Sequence, residues 1–155
     1  MISRRHALGL CALALLSAAR NAHAAGPAVT VTKDPNCGCC SGWVEHLRQA
    51  GFTVEVRDTA DLNRVKARLG VPSDLSACHT AEVSGYVIEG HVPAAALQRL
   101  LKEKPKAKGL AVAGMPVGSP GMEVPDAAPE EYDVILFGPQ RRVYARFKGA
   151  VEMSN

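Results

Sequence analysis

Apolar and polar positions along this chain change period from one stretch to the next, and each change marks an element. Val29 to Lys33 (VTVTK) alternates and is rich in β-branched residues, which predicts a strand ended by Asp34-Pro35-Asn36. From about Cys39 to Gln49 the period becomes helical, with Trp43, Val44, Leu47 and Ala50 on one stripe and Gly51 as a stop. Phe52 to Arg57 reads as a second strand. Asp61 caps a second helix, Leu62 to Leu69, expected to bury Leu62, Val65 and Leu69 and to end at Gly70. Val71 to Ala77 is turn-rich and leads into Cys78-His79-Thr80. Two short strands follow, near Ala81–Ser84 and Tyr86–Glu89, with Gly85 at the turn. Gly90-His91-Val92-Pro93 introduces a third helix, about Pro93 to Lys102, with proline in its first turn and Leu97, Leu100 and Leu101 on its apolar face.

The result is an α/β chain whose order, β-α-β-α-β-β-α, is that of the thioredoxin fold. In that fold the redox or ligand cysteines lie where the first strand meets the first helix, and the loop before the third strand packs against the same junction. Here the junction holds Cys37-Gly38-Cys39-Cys40 and the loop holds Cys78-His79. Two cysteine groups about forty residues apart are thereby predicted to be neighbours. Leu110 to Glu130 has a different texture: it is Gly- and Pro-rich and shows no periodicity, as functional lids and binding loops do. Tyr132–Phe137 and Arg142–Lys148 alternate around Gly138-Pro139-Gln140 and predict a C-terminal β-hairpin.

The first two dozen residues fit none of these patterns. Arg4 and Arg5 form a basic start, Ala7 to Ala19 is nearly all apolar, and Ala22-His23-Ala24 supplies a small-x-small cleavage pattern. The run is shorter than the roughly 20 residues a membrane-spanning helix needs. Ser3-Arg4-Arg5 with Leu8 resembles a twin-arginine signal, and both that route and the general secretory route stay open. The expectation is a signal peptide at 1–24, a thioredoxin-like metal-binding domain at 25–155, a periplasmic location and no membrane span in the processed chain. Cleavage would remove Arg4, Arg5, Arg20 and Cys11. The 18 Lys+Arg and 15 Asp+Glu then become 15 of each, so the basic pI of 8.7 belongs to the precursor. Nothing in the charge points to nucleic acid or an anionic membrane as a partner.

Four cysteines remain, and in an exported domain they first suggest disulfides. Adjacent Cys39 and Cys40 suit a structural framework poorly, and the 131 residues after Ala24 are enough for a core without staples. Two chemical readings stay open. A thiol–disulfide site would use Cys37 as attacking thiolate and Cys40 as its resolving partner, leaving Cys39 without a role. A soft-metal site would use Cys37, Cys39, Cys40 and Cys78 together around one ion or several, with copper favoured over zinc because zinc frames usually carry two separated C-x-x-C knuckles. His79, beside Cys78, is a weaker candidate ligand, as are the thioethers of Met115 and Met122. The fold argument puts His91 at the turn into the third helix, away from the cysteines, and the helical spacing turns His46 to solvent. No carboxylate pair, Ser-His-Asp set or phosphate-binding loop is visible.

Taken together, these stretches resemble the periplasmic copper-resistance CopG family. The likeness runs through Cys37-Gly-Cys-Cys40, Trp43, His46-Leu47, Gly51-Phe52, Gly70-Val71-Pro72 and Cys78-His79-Thr80-Ala81. It continues through Gly85 to Pro93, Gly109 to Val112, Gly114-Met115-Pro116 and Gly118 to Glu123, and so covers nearly all of the chain after the signal. The resemblance implies a thioredoxin-like fold and a cysteine-bridged Cu(I) cluster of more than one ion on Cys37, Cys39, Cys40 and Cys78. It also implies a role in copper resistance alongside other periplasmic copper-handling proteins, with a redox step between cluster and disulfide forms. It leaves open whether the protein is an enzyme or a sequestering protein.

Overall fold

The computed structural model describes residues 26–154, so the predicted signal at 1–24 lies outside the described residues. The chain forms β1 (Ala28–Lys33), α1 (Gly38–Gln49), β2 (Thr53–Asp58), α2 (Leu62–Leu69), a 3-10 turn (Ser73–Leu75), β3 (His79–Val83), β4 (Tyr86–Glu89) and α3 (Ala94–Glu103). The predicted β-α-β-α-β-β-α order is the order found. Four further strands follow: β5 (Gly109–Ala111), β6 (Glu131–Phe137), β7 (Arg142–Lys148) and β8 (Val151–Glu152). All eight join one sheet in the order β2-β1-β3-β4-β5-β6-β7-β8. β1 is parallel to β2, β3 runs antiparallel to β1 and β4, β5 is parallel to β4, and β6 to β8 continue as antiparallel neighbours.

Sequence spacing accounts for how α1 sits on this sheet. Cys40, Trp43, Val44 and Leu47 lie three and four residues apart, so one helix face carries them all into the interior. Trp43 is fully buried, and its Nε1–H donates to the Val92 carbonyl at 2.8 Å, which ties α1 to the stretch entering α3. Burying a side chain of this kind contributes on the order of 1.5–3 kcal/mol. Leu97 and Leu100 of α3 meet Ile88, Leu110 and Phe147 in the same core.

Four details differ from the sequence expectation. β3 begins at His79 and not at Ala81, because His79 pairs with Lys33 at the end of β1. On α2 the buried side chain is Lys66, while Leu62, Val65 and Leu69 are only half-buried, because an acidic partner lies beneath the helix. Leu110 belongs to β5, paired with Ile88, so the irregular stretch is shorter and begins after Ala111. The predicted C-terminal hairpin is present with a register shift at Val134/Ile135 and gains β8 as a third strand. Among the described residues no helix is long and apolar enough to cross a membrane.

Candidate metal and thiol site

Asp34-Pro35-Asn36 turns the chain sharply after β1, and the Cys37 N–H donates to the Asp34 carbonyl at 3.1 Å. Cys37 thus becomes the extended N-cap residue of α1. No side chain caps this helix end. The first-turn N–H groups and the helix dipole therefore present positive potential to the sulfurs around them. Buried Lys33 steadies the turn by donating to the Asp34 carbonyl at 3.0 Å and pairing with Asp58 at 3.3 Å.

Cys37 and Cys40 are joined as a disulfide, with Cα atoms 5.4 Å apart, and Cys39 and Cys78 are free. Cys39 Sγ stands 3.5 Å from Cys37 Sγ and 3.7 Å from Cys78 Sγ. Cys40 Sγ lies 3.6 Å from the Cys78 carbonyl oxygen. All four sulfurs fall within 4.8 Å of one another, so strand order has brought the two cysteine groups together. Cys37 and Cys39 are half-buried and Cys40 is fully buried, which makes Cys37 the accessible end of the disulfide.

A buried ionic network fixes the Cys78 side. One oxygen of the Glu89 carboxylate accepts from the Ala77 N–H at 2.7 Å and from Lys66 Nζ; the other accepts from the Thr80 hydroxyl at 2.6 Å. Lys66 also donates to Thr80 Oγ1 at 3.0 Å. Ala77 and Thr80 bracket Cys78 and His79, so one carboxylate holds both ends of that dipeptide. Lys66, Thr80 and Glu89 are all buried, and neither their roles nor their meeting follows from the cysteine pattern.

Two histidines complete this side. His79 Nδ1 lies 3.4 Å from Cys78 Sγ, and its ring packs on Trp43 with centroids 4.4 Å apart. His91, expected to lie away from the cysteines, instead places Nε2 only 3.0 Å from Cys78 Sγ. The reason is hairpin register: Thr80 pairs with Glu89, and continuing that ladder two residues outwards sets Cys78 opposite His91. His91 Nδ1 donates to the Pro120 carbonyl at 2.8 Å, which leaves Nε2 as a lone pair directed at the thiol. His46 also departs from expectation. It is half-buried, and its Nε2 accepts the Ala94 N–H at 3.0 Å, capping α3 where no side chain of α3 itself does so.

The irregular stretch reaches the site through Gly121. Its φ is +85°, and a Cβ there would stand 2.5 Å from both the Cys39 carbonyl oxygen and the Trp43 nitrogen. Gly42 on α1 faces it, and a Cβ there would stand 2.9 Å from the Gly121 Cα. Two glycines therefore let backbone lie directly on the first turns of α1. Met122 follows as a half-buried residue next to this crossing, whereas Met115 is 53% exposed. Of the two candidate thioethers, Met122 is the one next in sequence to the glycine that crosses the cysteine turn.

Burial dominates the electrostatics. It pushes the Cys78 thiol up to about 12, with neighbouring Cys39 adding to the shift and the Lys66 charge opposing it. Burial, reinforced by the charges of His91 and Lys66, holds His79 well below the usual 6.5, and burial lowers His91 as well. These shifts all favour the uncharged forms: a thiol at Cys78 facing neutral imidazoles at His79 and His91.

A family profile described as "Protein of unknown function, DUF411" matches residues 75–122, the span that carries Cys78, Glu89, His91 and Gly121. Two solved structures resemble the chain over most of its length. One, named "Copper resistance protein copG- Form 2", shares 44% identity with a TM-score of 0.75; the match covers 79% of this chain and 98% of that one. The other, "Copper resistance protein copG- Form 1", shares 45% identity with a TM-score of 0.73 over the same proportions. No curated protein sequence matches the chain. With 44–45% identity across an alignment that covers 79% of this chain and 98% of each structure, this chain belongs to the CopG family of copper-resistance proteins.

Proposed function

We propose that this is an exported, periplasmic copper-binding protein whose reduced cysteines hold Cu(I), more than one ion per chain. In this reading it serves copper homeostasis and resistance alongside other copper-handling proteins of that compartment. The observation that carries the proposal is the convergence of Cys37, Cys39, Cys40 and Cys78 within 4.8 Å at the uncapped start of α1. Donors at about 2.3 Å from a shared ion stand roughly 3.5–4 Å apart, and the sulfur separations of 3.5 and 3.7 Å lie in that range. Thiolates are soft donors that select Cu(I), and sulfurs this close can bridge ions. The copper resistance proteins that the chain resembles support copper as the cargo. Full occupancy of this site needs the Cys37–Cys40 disulfide opened, because a bridged sulfur has no thiolate to offer.

The test is an anaerobic titration of the reduced protein with Cu(I) against a competing chelator, with copper per chain counted by elemental analysis. More than one tightly held ion is expected, with a sharp fall in Cys78→Ser. Unchanged stoichiometry in that variant would sink the convergent site.

The Cys37–Cys40 disulfide favours a second reading, a thiol–disulfide oxidoreductase. A donor thiolate attacks the accessible Cys37 sulfur to form a mixed disulfide, Cys40 leaves as a thiolate and takes a proton, and a second donor thiol resolves the mixed bond as the donor is oxidised. The two readings part at Cys39. Cys39→Ser leaves thiol exchange intact but lowers copper stoichiometry, whereas Cys37→Ser abolishes exchange.

A further inference from the structure

With Cys37 and Cys40 bonded to each other, half of the sulfur donors are withdrawn, yet the Cys78 side of the site is unchanged in composition. Cys78 Sγ, His79 Nδ1 and His91 Nε2 lie within 4.8 Å of one another. We propose that the disulfide form of this protein has its own metal site, a Cys78–His79–His91 set that takes one borderline divalent ion of the Zn(II) class. The proposal goes beyond the Cu(I) reading. It shares Cys78 with that reading but needs neither Cu(I) nor the Cys37 and Cys40 thiolates.

Three independent observations point the same way. First, the donor spacing fits. Metal–sulfur and metal–nitrogen bonds of about 2.3 and 2.0 Å put donors roughly 3.5 Å apart around a tetrahedral ion. The separations from Cys78 Sγ are 3.0 Å to His91 and 3.4 Å to His79, so shifts of a few tenths of an ångström would admit an ion. Second, His91 has the outer contact that metal-bound histidines characteristically have. Its Nδ1–H donates to the Pro120 carbonyl, which fixes the tautomer and aims the Nε2 lone pair at Cys78. Third, His79 Nε2 is, among the described residues, the buried side-chain polar atom without a hydrogen-bond partner. This fully buried imidazole, set between Trp43 and Cys78, has no hydrogen bond at Nε2 that would compel Nδ1 to carry the ring proton, so Nδ1 is open to an ion while Nε2 keeps the proton.

One thiolate with two imidazoles is a harder donor set than four thiolates, and it suits Zn(II) and Co(II) better than it suits Cu(I). Three protein ligands leave a fourth position for water or a further donor, and Cys39 Sγ, 3.7 Å from Cys78, supplies a nearby free thiol. Closing the disulfide would therefore change the metal preference of the protein without emptying it.

The experiment uses protein in which the Cys37–Cys40 bond has been verified by peptide mapping, titrated with Co(II) as a spectroscopic probe and then with Zn(II) in competition. The expected result is one Co(II) per chain with a thiolate-to-metal charge-transfer band, displaced by Zn(II). His91→Ala should weaken binding by more than the roughly 10–100-fold that loss of an outer contact costs, and Cys78→Ser should remove the band. X-ray absorption at the Zn edge of the unmutated disulfide form adds a readout independent of any variant's folding, and it should show imidazole scattering together with a sulfur shell. Absence of binding to the disulfide form, a shell without nitrogen or without sulfur, or Co(II) affinity unchanged in His91→Ala would each overturn the proposal. A parallel Cu(I) titration of the reduced protein separates the two readings. Cu(I) binding without Co(II) binding removes only the divalent site, and the reverse removes only the cluster.

Discussion

Cys37 and Cys78 face each other across one sulfur cluster, but the chain holds them by different means. The Cys37–Cys40 turn is local: four consecutive residues on an uncapped helix end, two of them joined by a bond that forms and breaks with redox state. The Cys78 side is assembled from α2, β3, β4 and the stretch around Pro120, and buried partners hold it in place: Glu89 on Ala77 and Thr80, Lys66 on Glu89, Pro120 on His91. The contrast sets a turn whose chemistry is contiguous in sequence against a facing side whose position rests on buried partners from several elements.

The largest test of this contrast is removal of the Glu89 carboxylate. Glu89→Ala strands the buried Lys66 charge and frees the Ala77 N–H, and losses of this kind cost about 3–5 kcal/mol. Urea unfolding should show this, with Lys66→Met in the same chain restoring much of the stability. A Glu89→Ala protein as stable as the parent would mean that the Cys78 side is not held in this way.

Next in size is Gly121→Ala. The added methyl meets the Cys39 carbonyl and the Trp43 nitrogen at 2.5 Å, and the positive φ adds strain, for a loss of about 2–3 kcal/mol. Cys39 should then alkylate faster as the crossing backbone lifts from α1. Gly114→Ala is the control: its φ is +69° but the added methyl meets nothing within 4 Å, so the loss should be about 1 kcal/mol with Cys39 reactivity unchanged.

The smallest effect concerns His46. His46→Ala removes the acceptor for the Ala94 N–H and should cost about 1 kcal/mol near neutral pH. Burial lowers the folded His46 pKa below its usual 6.5, so the unfolded chain takes up the proton first as pH falls. The contribution is therefore complete above 6.5, declines as pH drops through the interval down to the lowered folded value, and levels off below it. Stability of the parent minus that of His46→Ala, followed by urea unfolding between pH 7.5 and about 4.5, should shrink on that schedule. A constant difference would remove the cap as the cause.

This same division decides what could be read from the sequence. The turn was legible because its chemistry is contiguous and its helix announces itself through Trp43, Val44 and Leu47. The strand order then carried Cys78 to it. Two residues that hold the Cys78 side, Lys66 and Glu89, were harder to read, each for its own reason. Lys66 lies between Val65 and Leu69 on the inward stripe begun by Leu62, and a lysine there reads as the polar face unless its buried carboxylate is already known. Glu89 closes a strand whose Val87 and Ile88 are both buried, so alternation gives no warning of it. His91 was within reach: extending the predicted hairpin around Gly85 outwards sets positions 78 and 91 opposite each other. His46 escaped because its partner, the Ala94 N–H, comes from an element 48 residues away.

The crossing of Gly121 over Cys39 also sets an order of events in time. Synthesis delivers about 5–20 residues per second, and more than eighty residues separate Cys40 from Gly121. The cysteine turn therefore exists for roughly 4–16 seconds before the stretch that covers it has been made. His91 likewise waits for the Pro120 carbonyl before its tautomer is fixed. The crossing over Cys39 and the contact that fixes His91 arise only when the chain has passed Gly121, so this geometry belongs to the folded protein and not to its nascent chain.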